Sequence, residues 1–198
     1  LTERAMEGEQ SFSEVFALRF KLYRPTLSDI QWLADQSVRH ITPDADRVVE
    51  ELKARGYHIY IVSASYRTAI LKVAKRLGIP ALNVCAVDVE FDAQGKYATY
   101  DRSNVLTTNE GLEIVVAEIA KRGLTIYIGD SVRDLAAASV ADCVVGYGGA
   151  KHNPRVEREA HAYIRTPSML PLLDHIETHL GESRLEGASA RLPVPVHS

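Results

Sequence analysis

Two hydrophobic periodicities divide the chain. Up to about residue 40, apolar residues recur at helical intervals: Leu1, Ala5 and Met6, then Phe12, Val15, Phe16 and Leu18, the stripe of amphipathic helices. Ser11 followed three residues later by Glu14 has the form of a capping box, and Pro25-Thr26-Leu27-Ser28 separates that helix from a second one starting at Leu27. From about residue 42, short apolar runs alternate with amphipathic stretches. Thr42-Pro43-Asp44 opens a helix that reaches Arg55 and stops at Gly56. His58 to Val62 is almost continuously apolar, which predicts a strand buried on both faces of a parallel sheet. A helix from Thr68 to Leu77, a strand from Asn83 to Val87 and a hairpin of Val89–Phe91 with Tyr97–Tyr100 follow. Beyond them lie a helix from Glu110 to Lys121, a strand from Leu124 to Ile128, a short helix from Asp134 to Ser139 and a last core strand from Asp142 to Val145. Helices near Arg155 to Ala160 and from Met169 to Leu180 complete the order.

Strands alternating with helices predict an α/β fold with a doubly wound parallel sheet and right-handed crossovers. The expected division is a small helical cap over residues 1–40, a core over 41–180, and a tail over 181–198 whose Gly, Ser, Ala and Pro content gives no fixed structure. In such sheets ligands sit beyond the carboxyl ends of the strands. That rule selects Ser63-Ala64-Ser65, Gly129-Asp130-Ser131 and Gly146-Tyr147-Gly148-Gly149.

Composition narrows the classes. Of 198 residues, 46% are hydrophobic and 25% charged, with a net charge of -3, so neither nucleic acid nor an anionic membrane is an expected partner. No apolar run reaches the roughly eighteen residues of a membrane helix, and the start lacks the basic and apolar regions of a signal peptide. Cys85 and Cys143 lie in apolar runs and fit the reduced thiols of a cytoplasmic protein better than a disulfide. The seven histidines show no zinc-ligand spacing. The oligomeric state stays open, a homodimer included. The first residue is Leu and helical periodicity is already running there, so the chain reads as cut from something longer or as an unusual gene start.

The sharpest chemical signal is Tyr127-Ile128-Gly129-Asp130-Ser131-Val132-Arg133-Asp134. An apolar strand delivers Asp130 to its carboxyl end, Gly129 permits a tight turn, and Asp134 lies four residues on, where two carboxylates can share one helical face. Hard oxygen donors at the mouth of a sheet suit Mg²⁺; both residues equally suit a helix cap. The second signal is Ser63, a hydroxyl at the end of another strand beside amides that open a helix, which makes an anion site or an ordinary serine cap. No Gly-x-Gly-x-x-Gly follows any strand, against a dinucleotide-binding domain.

Taken together, Ser63 after one strand, Gly129-Asp130-x-x-x-Asp134 after another and Gly146-Tyr147-Gly148-Gly149 after the last resemble the motifs of the haloacid dehalogenase superfamily. The stretch Ala5-Met6-Glu7-Gly8 with Phe12 and Arg19, the Gly95-Lys96-Tyr97 hairpin and Tyr163-Ile164 make the phosphoserine phosphatase branch the best match, over residues 1 to about 177. The resemblance implies a Rossmann-like core with a helical cap. It further implies an Mg²⁺-dependent phosphomonoesterase that acts through an aspartyl-phosphate on a small phosphorylated metabolite bearing a carboxylate. Under it, Ser63 would hydrogen-bond the phosphoryl group with Ala64 beside it, Asp130 would bind Mg²⁺ and Asp134 would support that site from behind. Arg19 would pair with the substrate carboxylate, and Met6 and Phe12 would wall the substrate.

The chain departs from that family at several positions. The family's nucleophile lies in Asp-x-Asp-x-Thr at the end of a first, central strand. Here the only Asp-x-Asp, Asp44-Ala45-Asp46, opens a helix, so the motif is expected before Leu1. Without that strand, the strands ending at Ser63 and Asp130 would flank an empty slot with unpaired backbone groups. The family's phosphate-neutralising lysine corresponds to Glu110, its Ser-Gly-Gly to Ser63-Ala64-Ser65, and its threonine before the last aspartate to Arg133, whose charge makes up some of the loss. A second expectation therefore stands beside the first: a domain that binds a ligand or partner without hydrolysis.

Overall fold

The computed structural model describes residues 10–179. Within them, seven strands and six bounded helices follow in the order α1 (Phe12–Tyr23), α2 (Leu27–Arg39), α3 (Ala45–Ala54), β1 (Ile61–Tyr66), α4 (Arg67–Arg76), β2 (Val84–Val87), β3 (Val89–Phe91), β4 (Tyr97–Tyr100), α5 (Gly111–Ala120), β5 (Ile126–Gly129), β6 (Cys143–Tyr147), α6 (Pro154–Glu159) and β7 (Ala162–Ile164). A final helix covers 171–179. The region after β5 is a 3-10 helix, Val132–Ser139. No helix among the described residues is long and apolar enough to cross a membrane.

The strands fall into three groups. β1 pairs in parallel with β2, β5, β6 and β7 form a parallel set in that order, and β3 with β4 makes the antiparallel hairpin. Side chains alternate between the faces as a pleated strand requires. Ile61, Val84 and Ala86 pack with Val49 of α3 and Ala74 of α4, while Ile126, Ile128, Cys143 and Val145 pack with Val48 and Leu52 of α3 and with the 171–179 helix. On the opposite face, Val62 and Tyr127 meet around Leu112 and Val116 of α5. α3 and α5 therefore clamp β1 and β5 from both sides. The two parallel groups are halves of one doubly wound sheet.

Among the described residues no strand pairing joins those halves. Residues 58–62 and 124–128 line an apolar cavity of about 580 Å³, walled by Val48, Val49 and Leu52 on one side and Val116 and Ile119 on the other. Burial runs opposite to the usual order of an open α/β sheet, whose middle strands are the most enclosed. Here β1 and β5 are half-buried throughout, whereas their partners β2 and β6 are almost wholly buried. The slot expected from the sequence is present. The run from His58 is packed on both faces, Ile61 against α3 and α4 and Val62 against α5, and the open edge along the cavity leaves β1 half-buried.

Several boundaries are corrected. β1 starts at Ile61 and continues to Tyr66 through a register shift, so Ser63 lies within the strand and Tyr66 is the helix N-cap. Ser11 does occupy an N-cap, but its Oγ lies 3.0 Å from Ser13 Oγ and donates to Asn109, so the box with Glu14 does not form. The box forms instead at Thr26 and Asp29, whose carboxylate accepts the Thr26 N–H at 2.8 Å. β6 is not the last core strand, since the three-residue β7 pairs beyond it. Gly56 does end α3, with φ of 85°. The readings for residues 1–9, Met6 among them, and for the tail over 181–198 lie outside the described residues.

Candidate active site at the carboxyl ends of the strands

β5 delivers Asp130 to solvent, and the residue behind it is tied down on every side. One oxygen of Asp134 accepts the Tyr127 hydroxyl at 2.6 Å. The other accepts the backbone N–H of Asp130 at 3.1 Å, the N–H of Ser131 at 2.9 Å and the Ser131 hydroxyl at 2.6 Å. Burial, and then the adjacent Asp134 carboxylate, push the Tyr127 phenol far above its ordinary value, so it stays a donor. The two carboxylates therefore do not share one face: Asp134 turns back to hold the Asp130 turn, while Asp130 points outward.

The need for glycine at 129 is likewise steric. Its φ is not positive, but a Cβ there would overlap Cβ and Cγ of Asp134. The glycines at 146 and 148 make room in the same way for the ring of Tyr163, whose hydroxyl accepts the Asn153 N–H at 3.0 Å. That third loop tip is filled by the protein itself.

On β1, Ser63 Oγ accepts the Ser65 N–H at 3.1 Å, which fixes the hydroxyl at the irregular end of the strand. Ala64 packs against the aromatic cluster led by Phe12, Phe16 and Phe20. α1 is the element that joins the two tips. At its start, the Phe12 ring lies 3.7 Å under the guanidinium carbon of Arg133, three residues after Asp130. Farther along, Arg19 lies 5.7 Å from the ring of Tyr66, three residues after Ser63. Phe12 and Arg19 are separated by about 10 Å of helix, so α1 bridges the segment that follows Ser63 and the turn that follows Asp130.

Arg19 is the least satisfied charge there. Its guanidinium also faces Phe16 at 5.0 Å and Phe20 at 5.6 Å, and its Nε and Nη2 are buried without a hydrogen-bond partner among the described residues. A guanidinium in that state is costly unless an acceptor arrives. Glu110, at the opening of α5, is exposed. Among the described residues no group of three or more His, Cys, Asp or Glu converges in the manner of a preformed metal cage.

Sequence reasoning missed Tyr127, Tyr66 and Asn109. The period-2 alternation of β5 already put Tyr127 on the face opposite Ile126 and Ile128, where its hydroxyl meets the following turn. Asn109 accepts from Ser11 and Ser13 at the start of α1, a pairing across nearly a hundred residues that carries no local signal.

Comparison with known proteins agrees with this geometry. The family profile of haloacid dehalogenase-like hydrolases matches residues 3–142. The phosphoserine phosphatase of Drosophila melanogaster is 31% identical over 168 residues, covering 83% of this chain and 62% of that enzyme; the chain thus spans under two thirds of that relative's length. The phosphoserine phosphatase of Homo sapiens is 30% identical over 167 residues, covering 83% of this chain and 74% of that enzyme. The crystal structure of a phosphoserine phosphohydrolase-like protein from Francisella tularensis superposes with a TM-score of 0.71 at 25% identity, over 83% of this chain and 78% of that one. With half of the chain or more under one family profile, and its parallel strands and Gly-Asp turn in place, the chain belongs to the haloacid dehalogenase-like hydrolases and is phosphoserine phosphatase-like within them.

Proposed function

We propose that this chain forms most of an Mg²⁺-dependent phosphomonoesterase for a small phosphorylated metabolite that bears a carboxylate, of the phosphoserine type. The observation that carries the substrate class is Arg19. A buried guanidinium with an unpartnered Nε and Nη2 among the described residues, enclosed by Phe16, Phe20 and Tyr66, suits bidentate pairing with a carboxylate. The arrangement of Arg19 beside the Ser63 tip supports a ligand whose carboxylate lies under α1 and whose phosphate lies toward the sheet.

The slot between β1 and β5 is the place for a strand that ends in the nucleophilic aspartate. Such a strand would pair with both edges and bring its carboxylate between Ser63 and Asp130. That carboxylate would attack phosphorus as the phosphorus–oxygen bond to the substrate breaks, the second aspartate of the Asp-x-Asp giving its proton to the leaving oxygen. The same aspartate then takes a proton from water, which cleaves the aspartyl-phosphate to phosphate and the free carboxylate. The Ser63 hydroxyl donates to a phosphoryl oxygen, and Tyr127 with Asp134 holds the Asp130 turn rigid. Asp130 suits Mg²⁺, which takes one or two carboxylates and completes its shell with water and phosphate oxygens. When bound, the ion neutralises phosphoryl charge.

The test is the longest natural form of the protein, assayed with Mg²⁺ on a panel of phosphate esters with and without a carboxylate. Turnover confined to the carboxylate-bearing members, and lost on chelation, is expected. No turnover with an Asp-x-Asp-x-Thr segment present upstream rejects hydrolysis. Glu110 at the opening of α5 favours a second reading, a domain that binds the same ligand without turning it over. Calorimetric binding without product release is its signature.

A further inference from the structure

The mouth of the sheet holds a second buried guanidinium, at the opposite end of α1 from Arg19. Arg133 belongs to the turn after Asp130, and its side chain crosses to the loop ahead of α5. Its Nη2 donates to the carbonyl oxygens of Leu106 at 3.3 Å and Thr108 at 3.2 Å. Its flat face rests on the Phe12 ring at 3.7 Å, and its Nε is buried without a partner among the described residues. The charge is thus held by a ring and two carbonyl dipoles, with the nearby Asp134 carboxylate attracting it through space while the oxygens of Asp134 are engaged by Tyr127, Ser131 and the backbone. Arg133 stands where three elements converge: the turn bearing Asp130, the start of α1, and the loop leading into Glu110. Glu110 itself is exposed and carries the wrong sign for a phosphate.

We propose that Arg133 supplies the cation facing the transferred phosphoryl group in this chain, doing so from the Asp130 turn because the opening of α5 carries Glu110. This rests on the phosphatase reading above. An arginine suits the task because its planar fork offers paired N–H donors to phosphate oxygens and keeps its charge at any working pH. The ring of Phe12 holds the fork in one plane and shields it from water, which strengthens its pull on an anion. Arg19 and Arg133 then receive the two anionic ends of one ligand from the two ends of one helix.

The competing account makes Arg133 a structural pin between the Asp130 turn and the 105–108 loop. Two variants separate them: R133Q, which keeps amide donors for the two carbonyls but removes the charge, and R133Q/E110K, which returns a cation from the other side. In the longest natural form of the protein, the readouts are the inhibition constant of inorganic phosphate, KM and kcat for the carboxylate-bearing ester, and the thermal midpoint. R133Q is expected to weaken phosphate inhibition by about ten- to a hundredfold with the melting transition little changed, and E110K is expected to restore most of it. Unaltered phosphate inhibition in R133Q overturns the proposal, as does a collapse of the melting transition that E110K does not rescue. If the unsubstituted protein neither binds phosphate nor hydrolyses any ester, the phosphatase reading falls and this inference falls with it.

Discussion

The phenol of Tyr127 and the carboxylate of Asp134 lie 2.6 Å apart beneath the turn that presents Asp130. The pair carries a pH signature. Burial raises the Tyr127 pKa above its unfolded value, so the folded state holds the phenolic proton more tightly. The resulting stability is fully present below the unfolded value of about 10 and is lost as pH rises beyond it. Y127F removes the hydrogen bond, costing about 1.5–3 kcal/mol at pH 8, and also removes the titration. Urea midpoints from pH 8 to 11 should therefore fall more steeply for the unsubstituted protein, narrowing the gap between the two. Parallel curves would contradict the assignment.

Asp130 and Asp134 have separable roles. D134A strands the Tyr127 hydroxyl, the Ser131 hydroxyl and two backbone donors, and should cost about 3 kcal/mol or more. D130N, at an exposed position, should cost under about 1 kcal/mol while removing essentially all turnover. Denaturant unfolding alongside the phosphatase assay checks both, and equal stability losses would refute the division.

At Arg19 stability and function should diverge. R19M removes a buried guanidinium whose Nε and Nη2 have no partner among the described residues, and methionine fills the aromatic cradle with apolar contact. Stability should hold steady or rise by about 1 kcal/mol. KM for carboxylate-bearing phosphate esters should rise at least tenfold, with carboxylate-free esters unaffected. A uniform loss over both ester classes would mean that Arg19 does not read the carboxylate.

G129A tests why that glycine stands before Asp130. The new methyl group would overlap the Asp134 side chain, displacing it from Tyr127 and Ser131, for a loss of about 1–3 kcal/mol. G123A is a useful contrast: a methyl group on Gly123 would meet nothing within 4 Å, but the φ there is +147°, so its cost is backbone strain alone. Only the variant at 129 should alter activity, read as kcat on the preferred ester.

How much of this was legible in the sequence depends on the range of the interaction. Gly-Asp-x-x-x-Asp, the hairpin at 89–100 and the stop at Gly56 are local signals, and each lies where the pattern put it. The box expected at Ser11 failed because Asn109, remote in sequence, takes its hydroxyl. The box at Thr26 was hidden because Asp29 stands where the usual signature has Glu or Gln. β7 escaped because three residues show no period. T26A should cost about 1 kcal/mol and S11A well under half of that, as chemical denaturation can show.

The cavity between β1 and β5 leaves the spacing of the Ser63 and Asp130 tips to the elements packed around the two strand groups. Side chains of α3, Val48 and Val49, Val116 of α5 and the contacts of α1 with Tyr66 and Arg133 all span the two halves. Two plates bolted in this way can shear past each other by fractions of an ångström, and phosphoryl transfer tolerates little of that. A strand threaded down the middle would lock both plates into one slab. The act that delivers the nucleophile would then also set the distance at which it works.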